Sequence, residues 1–135
     1  MSKIQKILTA PHEEIEKIQI EGIKKTVVNC YESIPFYKKS FDEAGFDPYS
    51  VETIDDLKNA PFVTKQDLRD AYPYGMLAVP MRDVREIHMS SGTTGVATVG
   101  AYTKHDLDIW AECFGRGLLY AGGNEEDIIQ IAYGY

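Results

Sequence analysis

The chain has only two cysteines, Cys30 and Cys113, far apart and in no Cys-x-x-Cys spacing. That excludes a disulfide framework and a cysteine-rich zinc site, and reads as two reduced thiols in a cytoplasmic protein. No apolar run approaches the ~18 residues that a membrane span needs. The apolar part of the opening segment MSKIQKILTA is too short for a signal peptide. Positive charge is also scarce: 14 Lys and Arg stand against 21 Asp and Glu, a formal net charge of −7, with no basic stripe. This argues against nucleic acid as the main partner. An anionic ligand must therefore be held by local donors or a metal ion, against the field of the whole molecule. Internal repeats and low-complexity segments are absent as well.

What remains is an ordinary globular composition of 135 residues, 44% hydrophobic and 26% charged, enough for one domain with a core. Residues 13–34 carry Ile15, Ile18, Ile23, Val27, Cys30, Tyr31 and Ile34 at helical spacings, and Pro35 ends that pattern. A second helix over 36–44 stops at Gly45, and Asp47-Pro48-Tyr49-Ser50 is a turn. Thr53 with Asp56, Thr64 with Asp67 and Thr103 with Asp106 read as helix starts with an acid in the first turn, so these aspartates cap rather than catalyse. Pro61, Pro73 and Pro80 keep 60–82 irregular apart from a short helix near 65–71.

From Arg85 the pattern changes. Residues 85–89 alternate as a strand does, and 96–102 form the return strand. A helix over 104–121 places Leu107, Trp110, Phe114, Leu118 and Ala121 on one face, with Trp110 and Phe114 expected in the core. Gly122-Gly123 end it, and 128–132 is expected to be a buried strand. The fold class is mixed α/β: a helical segment, 1–80, followed by strands and a helix over 81–135.

Between the two strands lies Ser90-Ser91-Gly92-Thr93-Thr94-Gly95, four hydroxyls and two glycines in six residues. Glycine lets the backbone come close to a guest, and Ser and Thr add donors without bulk. Each hydrogen bond to a charged acceptor contributes about 1.5–3 kcal/mol, so three or four suffice for a polyphosphate. The run is neither a Walker A loop nor the GxGxxG fingerprint, and a strand follows it. Composition alone leaves two readings open: a hairpin turn without a ligand, or a phosphate cradle. His88, beside the loop, either approaches a ligand or packs on the strand; His12 and His105 read as surface residues.

The segment Ile87–Gly95 resembles the phosphate-binding motif of the AMP-forming acyl-CoA synthetase and adenylation superfamily. The blocks IPFYKKSFDEAGFDP (34–48), LKNAPFVTKQDLRDAYPYGMLAVP (57–80), AYTKHDLDIWAE (101–112) and the terminal YGY resemble phenylacetate–coenzyme A ligases, in the right order and spacing. The resemblance implies ligation of an aryl or acyl acid, phenylacetate above all, to coenzyme A through an acyl-adenylate, with ATP and Mg²⁺. It implies that Ser90, Ser91, Gly92, Thr93, Thr94, Gly95 and Thr98 hold the ATP phosphates, the hydroxyls of Ser91, Thr93 and Thr94 foremost. Family members commonly carry Lys-Pro-Thr after the last loop glycine, where this chain has Val96-Ala97-Thr98. The point charge of that lysine is therefore missing from the implied grip.

Tyr133 matches the start of an aromatic motif that lines the acid pocket in the family; packing at the sheet end is the other reading. The Lys24-Lys25 and Lys38-Lys39 pairs read either as coenzyme A phosphate contacts or as solvated helix faces. The resemblance further implies that 81–135 is the start of the large adenylation domain, incomplete here. The catalytic residues are then expected beyond 135, and the isolated piece is expected to be inactive. Open sheet edges in such a piece favour a homodimer or other self-association. Two alternatives stand: a small nucleotide- or partner-binding protein without chemistry, and an adenylating enzyme with another acceptor.

Overall fold

A computed structural model describes residues 7–91 and 95–132. Helix α1, His12–Ser33, opens after Pro11 with Glu13 and Glu14 in its first turn, where acids complement the helix dipole. It stops because Pro35 forces the preceding Ile34 out of the helical region, to φ −122° and ψ 110°. Pro35 then occupies the first turn of α2, Pro35–Ala44, where its missing N–H costs nothing. Helix α2 closes at Gly45, which takes φ 65° while the Phe46 N–H donates to the Phe41 carbonyl at 3.0 Å.

The core lies in this helical half. Val27, Phe41, Phe46 and Val51 are buried together, with Ile23, Tyr31, Tyr37 and Leu57 packed around them. Phe41 is its hub, with the Phe46, Tyr37 and Tyr31 rings at 4.9, 5.8 and 6.2 Å. Tyr31 turns its hydroxyl outward, donating to Asp42 at 2.8 Å and accepting from Lys38 at 2.9 Å.

The three Thr–Asp pairs all form capping boxes, on a short 3₁₀ helix Ile54–Asn59, on α3 (Lys65–Asp70) and on α4 (Lys104–Tyr120). In each, the threonine N–H donates to the aspartate carboxylate at 2.7 Å. Threonine hydroxyl and backbone donors hold Asp67 and Asp106 below the usual carboxylate range; for Asp56 the backbone N–H groups of Glu52 and Thr53 come first. A depressed folded value means that this contribution to stability is full above the ordinary carboxylate pKa. It is lost as pH falls through the lowered values.

Strand β1, Val84–Met89, pairs antiparallel with β2, Val99–Thr103, in the register Glu86↔Tyr102, Ile87↔Ala101, His88↔Gly100 and Met89↔Val99. The return strand thus begins later than the expected residue 96. Among the described residues these two strands form the sheet, and α4 packs against β2.

Two expectations are corrected here. Residues 128–132 form no strand: Ile128 is 99% exposed, and no ladder partner reaches this segment among the described residues. Trp110 and Phe114 are not core residues, being 47% and 59% exposed. Apolar spacing identifies a face that gains from burial, but burial needs an opposing layer. Among the described residues the hairpin covers only part of that face of α4, where Trp110 meets His88 and Tyr102, and Phe114 stays exposed.

Candidate functional site

The hairpin delivers Ser90 and Thr98 side by side. The Ser90 N–H donates to the Thr98 carbonyl at 3.0 Å, and the Thr98 N–H donates to Ser90 Oγ at 2.9 Å. These two bonds clasp the neck of the loop one step beyond the last ladder pair. Ser91, next along, is exposed. On the far side Gly95 holds φ 121°, a conformation that side chains rarely adopt, and an added Cβ would meet no atom within 4 Å. Open space therefore faces the backbone where a guest has to approach. Val96 is half-exposed. Gly92, Thr93, Thr94 and Tyr133 lie outside the described residues.

His88 packs within a cluster of rings. It lies 4.9 Å from Tyr102 and 5.4 Å from Trp110, which are themselves 5.4 Å apart, and its Nε2 is 3.1 Å from Glu86 Oε2. Gly100, cross-strand from His88, makes room for this: a Cβ there would sit 3.0 Å from the Tyr102 hydroxyl oxygen. Tyr102 thus lies across its glycine neighbour, covering the backbone that a side chain would otherwise shield. Sequence reading missed Glu86, Gly100 and Tyr102. A glycine inside a strand, two places before an aromatic residue, was the available signal.

The remaining candidates do not join this site. Lys24 pairs with Glu52, Lys38 with Asp42 and Lys39 with Glu43, all on exposed faces, as the solvated reading requires. A cavity of about 570 Å³ lies between the helical half and β2, lined by residues that include Asn29, Cys30, Tyr37, Tyr74 and Thr103. No lysine or arginine lines it, so it offers an anion no counter-charge. Burial pushes the Cys30 thiol up, which keeps it protonated and poorly nucleophilic. Among the described residues no cluster of His, Cys, Asp and Glu is arranged to hold a metal ion, and no helix is long and apolar enough to cross a membrane.

No family model matches the chain. Among curated proteins it is 46% identical over 134 residues to a phenylacetate–coenzyme A ligase of Escherichia coli, covering 99% of this chain and 31% of that protein. It is also 46% identical over 127 residues to one of Thermus thermophilus, covering 94% of this chain and 28% of the relative. Among solved structures, a 2-hydroxyisobutyryl-CoA ligase in complex with 2-HIB-AMP and CoA superposes with TM-score 0.70 at 30% identity, over 80% of this chain and 24% of that one. The same ligase in a postadenylation state gives TM-score 0.73 at 26% identity, over 84% and 24%. The chain spans about three-tenths of the length of the curated relatives it matches. In sequence it is related along nearly its whole length to the phenylacetate–coenzyme A ligases, and it corresponds to their N-terminal part.

Proposed function

We propose that this chain carries the ATP-phosphate grip of an AMP-forming acid–coenzyme A ligase, with phenylacetate as the acid. The observation that carries the reading is the closed neck, Ser90 joined to Thr98 by two hydrogen bonds, at the base of a loop whose sequence is rich in hydroxyls and glycines. In the reaction, a carboxylate oxygen attacks the α-phosphorus of ATP, pyrophosphate leaves, and the coenzyme A thiol then displaces AMP from the acyl-adenylate. That attack requires the β- and γ-phosphates to be held still. Backbone N–H groups and the hydroxyls of Ser91, Thr93 and Thr94 do this holding. Mg²⁺, if bound with the nucleotide, would neutralise part of the phosphate charge.

In this reading 1–80 is the helical part and 81–135 opens the nucleotide-binding domain. Tyr133 contributes to the wall against the aryl ring, and the catalytic residues belong to the remaining seven-tenths of the relatives' length. The protein works in the cytoplasm, in breakdown of the aromatic acid.

The loop lacks the family's lysine, and Val96 holds that place half-exposed. Val96→Lys is expected to tighten both ATP and pyrophosphate about tenfold. A charge-assisted bond contributes ~1.5–3 kcal/mol, reduced here by solvent screening. Titration calorimetry with the two ligands checks this. Unchanged affinity for both places the phosphates elsewhere.

Self-association belongs to the same proposal. Ile128, Ile129, Ile131, Phe114 and Trp110 leave an apolar surface exposed, and such surfaces favour a second copy. Light scattering is expected to show a dimer or larger species. A clean monomer at tens of micromolar contradicts it.

A further inference from the structure

The cleft of about 570 Å³ between the helical half and β2 takes no part in the phosphate grip, and neither Ser90 nor Thr98 lines it. Protein interiors leave few voids larger than a water molecule, so a space of this size holds either solvent or a guest. Ile34, Leu77, Val79 and Val99 line it with aliphatic carbon, joined by the rings of Tyr37 and Tyr74. Such walls hold water poorly. The polar groups among them are few and mostly uncharged. Asn29 Oδ1 accepts the Ser33 hydroxyl at 3.1 Å, which leaves the Asn29 amide N–H groups without a partner among the described residues. The Tyr37 hydroxyl likewise makes no hydrogen bond among the described residues. Burial lifts Tyr37 above its ordinary range, so it stays a neutral phenol. Asp106 brings the one carboxylate of the lining. It is exposed, and its Oδ2 already accepts the Thr103 N–H and hydroxyl, both at 2.7 Å.

We propose that this cleft binds a small uncharged molecule with an aromatic body and one hydroxyl or amide group. Its volume falls within the ~300–1,000 Å³ usual for small-molecule sites, and such sites favour seams between packed units. The aliphatic walls and the Tyr37 and Tyr74 rings take the body. The Asn29 amide and the Tyr37 hydroxyl take the polar group. Charge decides what the guest is not. A carboxylate here leaves water with no lysine or arginine to meet it and with Asp106 at hand to repel it. The acid that the ligase reaction consumes is therefore not the guest of this cleft. An ammonium group meets only Asp106, whose carboxylate is exposed and already bonded to Thr103.

The test titrates benzyl alcohol, benzylamine and benzoate, alike in shape and different in charge, into the full 135-residue chain with labelled methyl groups. Benzyl alcohol is expected to shift the methyl signals of Ile34, Leu77, Val79 and Val99 and to half-saturate at about 1 mM, as suits a guest of so few atoms. Benzoate and benzylamine are expected to bind at least about tenfold more weakly. A second readout is alkylation of Cys30 by N-ethylmaleimide, followed in Cys113→Ser so that the exposed thiol does not compete. Benzyl alcohol is expected to slow it. Ala78→Phe puts a ring into the cleft and is expected to abolish both the shifts and the protection, its fold being checked by circular dichroism. Should that variant not fold, the titrations and the alkylation decide by themselves. If benzyl alcohol neither shifts these methyls nor protects Cys30, the site is overturned. If benzoate or benzylamine binds more tightly at the same methyls, the uncharged guest is overturned. Pyrophosphate added to the same sample reads the loop separately, so failure of the cleft and failure of the phosphate grip are distinguishable.

Discussion

Phe41→Ala is expected to destabilise the helical half of the molecule severely. Phe41 is only 4% exposed, and three other rings rest against it. Removing a buried phenylalanine costs about 3–5 kcal/mol, the transfer loss plus the cavity left behind. That is a large share of the 5–15 kcal/mol that holds a typical domain together. The core here is small, since Val27, Phe46 and Val51 are the other members of its buried cluster. Thermal unfolding by circular dichroism is expected to fall by on the order of 10–20 °C. Phe41→Leu, which keeps most of the volume, is expected to lose less than half as much. An alanine variant melting within a few degrees of the parent chain contradicts this view of the core.

Gly95→Ala is expected to do the opposite: little to stability, much to phosphate binding. Nothing lies within 4 Å of the added methyl, so sterics with neighbours are not the cost. The cost is the backbone angle of 121°, which alanine takes up only with strain of about 1–3 kcal/mol. An exposed loop relieves that strain by changing shape, and the change is paid in lost contacts to the ligand. Pyrophosphate and ATP affinities are expected to fall roughly ten- to a hundredfold, the same energy read as a binding constant. The melting temperature is expected to stay within a few degrees. Unchanged affinity shows that the backbone at Gly95 takes no part in the grip.

Much of the fold was legible because its signals are local. Pro35 sets both the end of α1 and the start of α2, and Gly45 ends α2, through steric rules that involve only neighbouring residues. Each Thr–Asp pair closes its box within four residues, so distance in sequence equals distance in space. Signals that depend on a partner element misled. Ile128, Ile129 and Ile131 look like a buried strand, yet a strand is defined by its neighbours, and no ladder reaches them among the described residues. Trp110 and Phe114 sit at core spacing, but spacing says which side of α4 is apolar and nothing about what covers it.

The site divides in the same way. The hydroxyl and glycine content of 90–95 is plain in the sequence. The engagement of Ser90 with Thr98, eight residues apart, appears only once the strand register is known. The ring cluster likewise needs α4 folded back onto β2 before His88 and Trp110 can meet.

The central claim is that the loop, and not another part of the surface, holds phosphate. The most direct measurement is the map of amide shifts as pyrophosphate is added to the labelled chain in the presence of Mg²⁺. The shifts are expected to concentrate at 90–98, spreading to His88 and Trp110 through the ring cluster. With a net charge of −7, the rest of the surface offers a polyanion little. Shifts centred on Lys24, Lys25, Lys38 and Lys39, or no shifts at millimolar pyrophosphate, contradict the account.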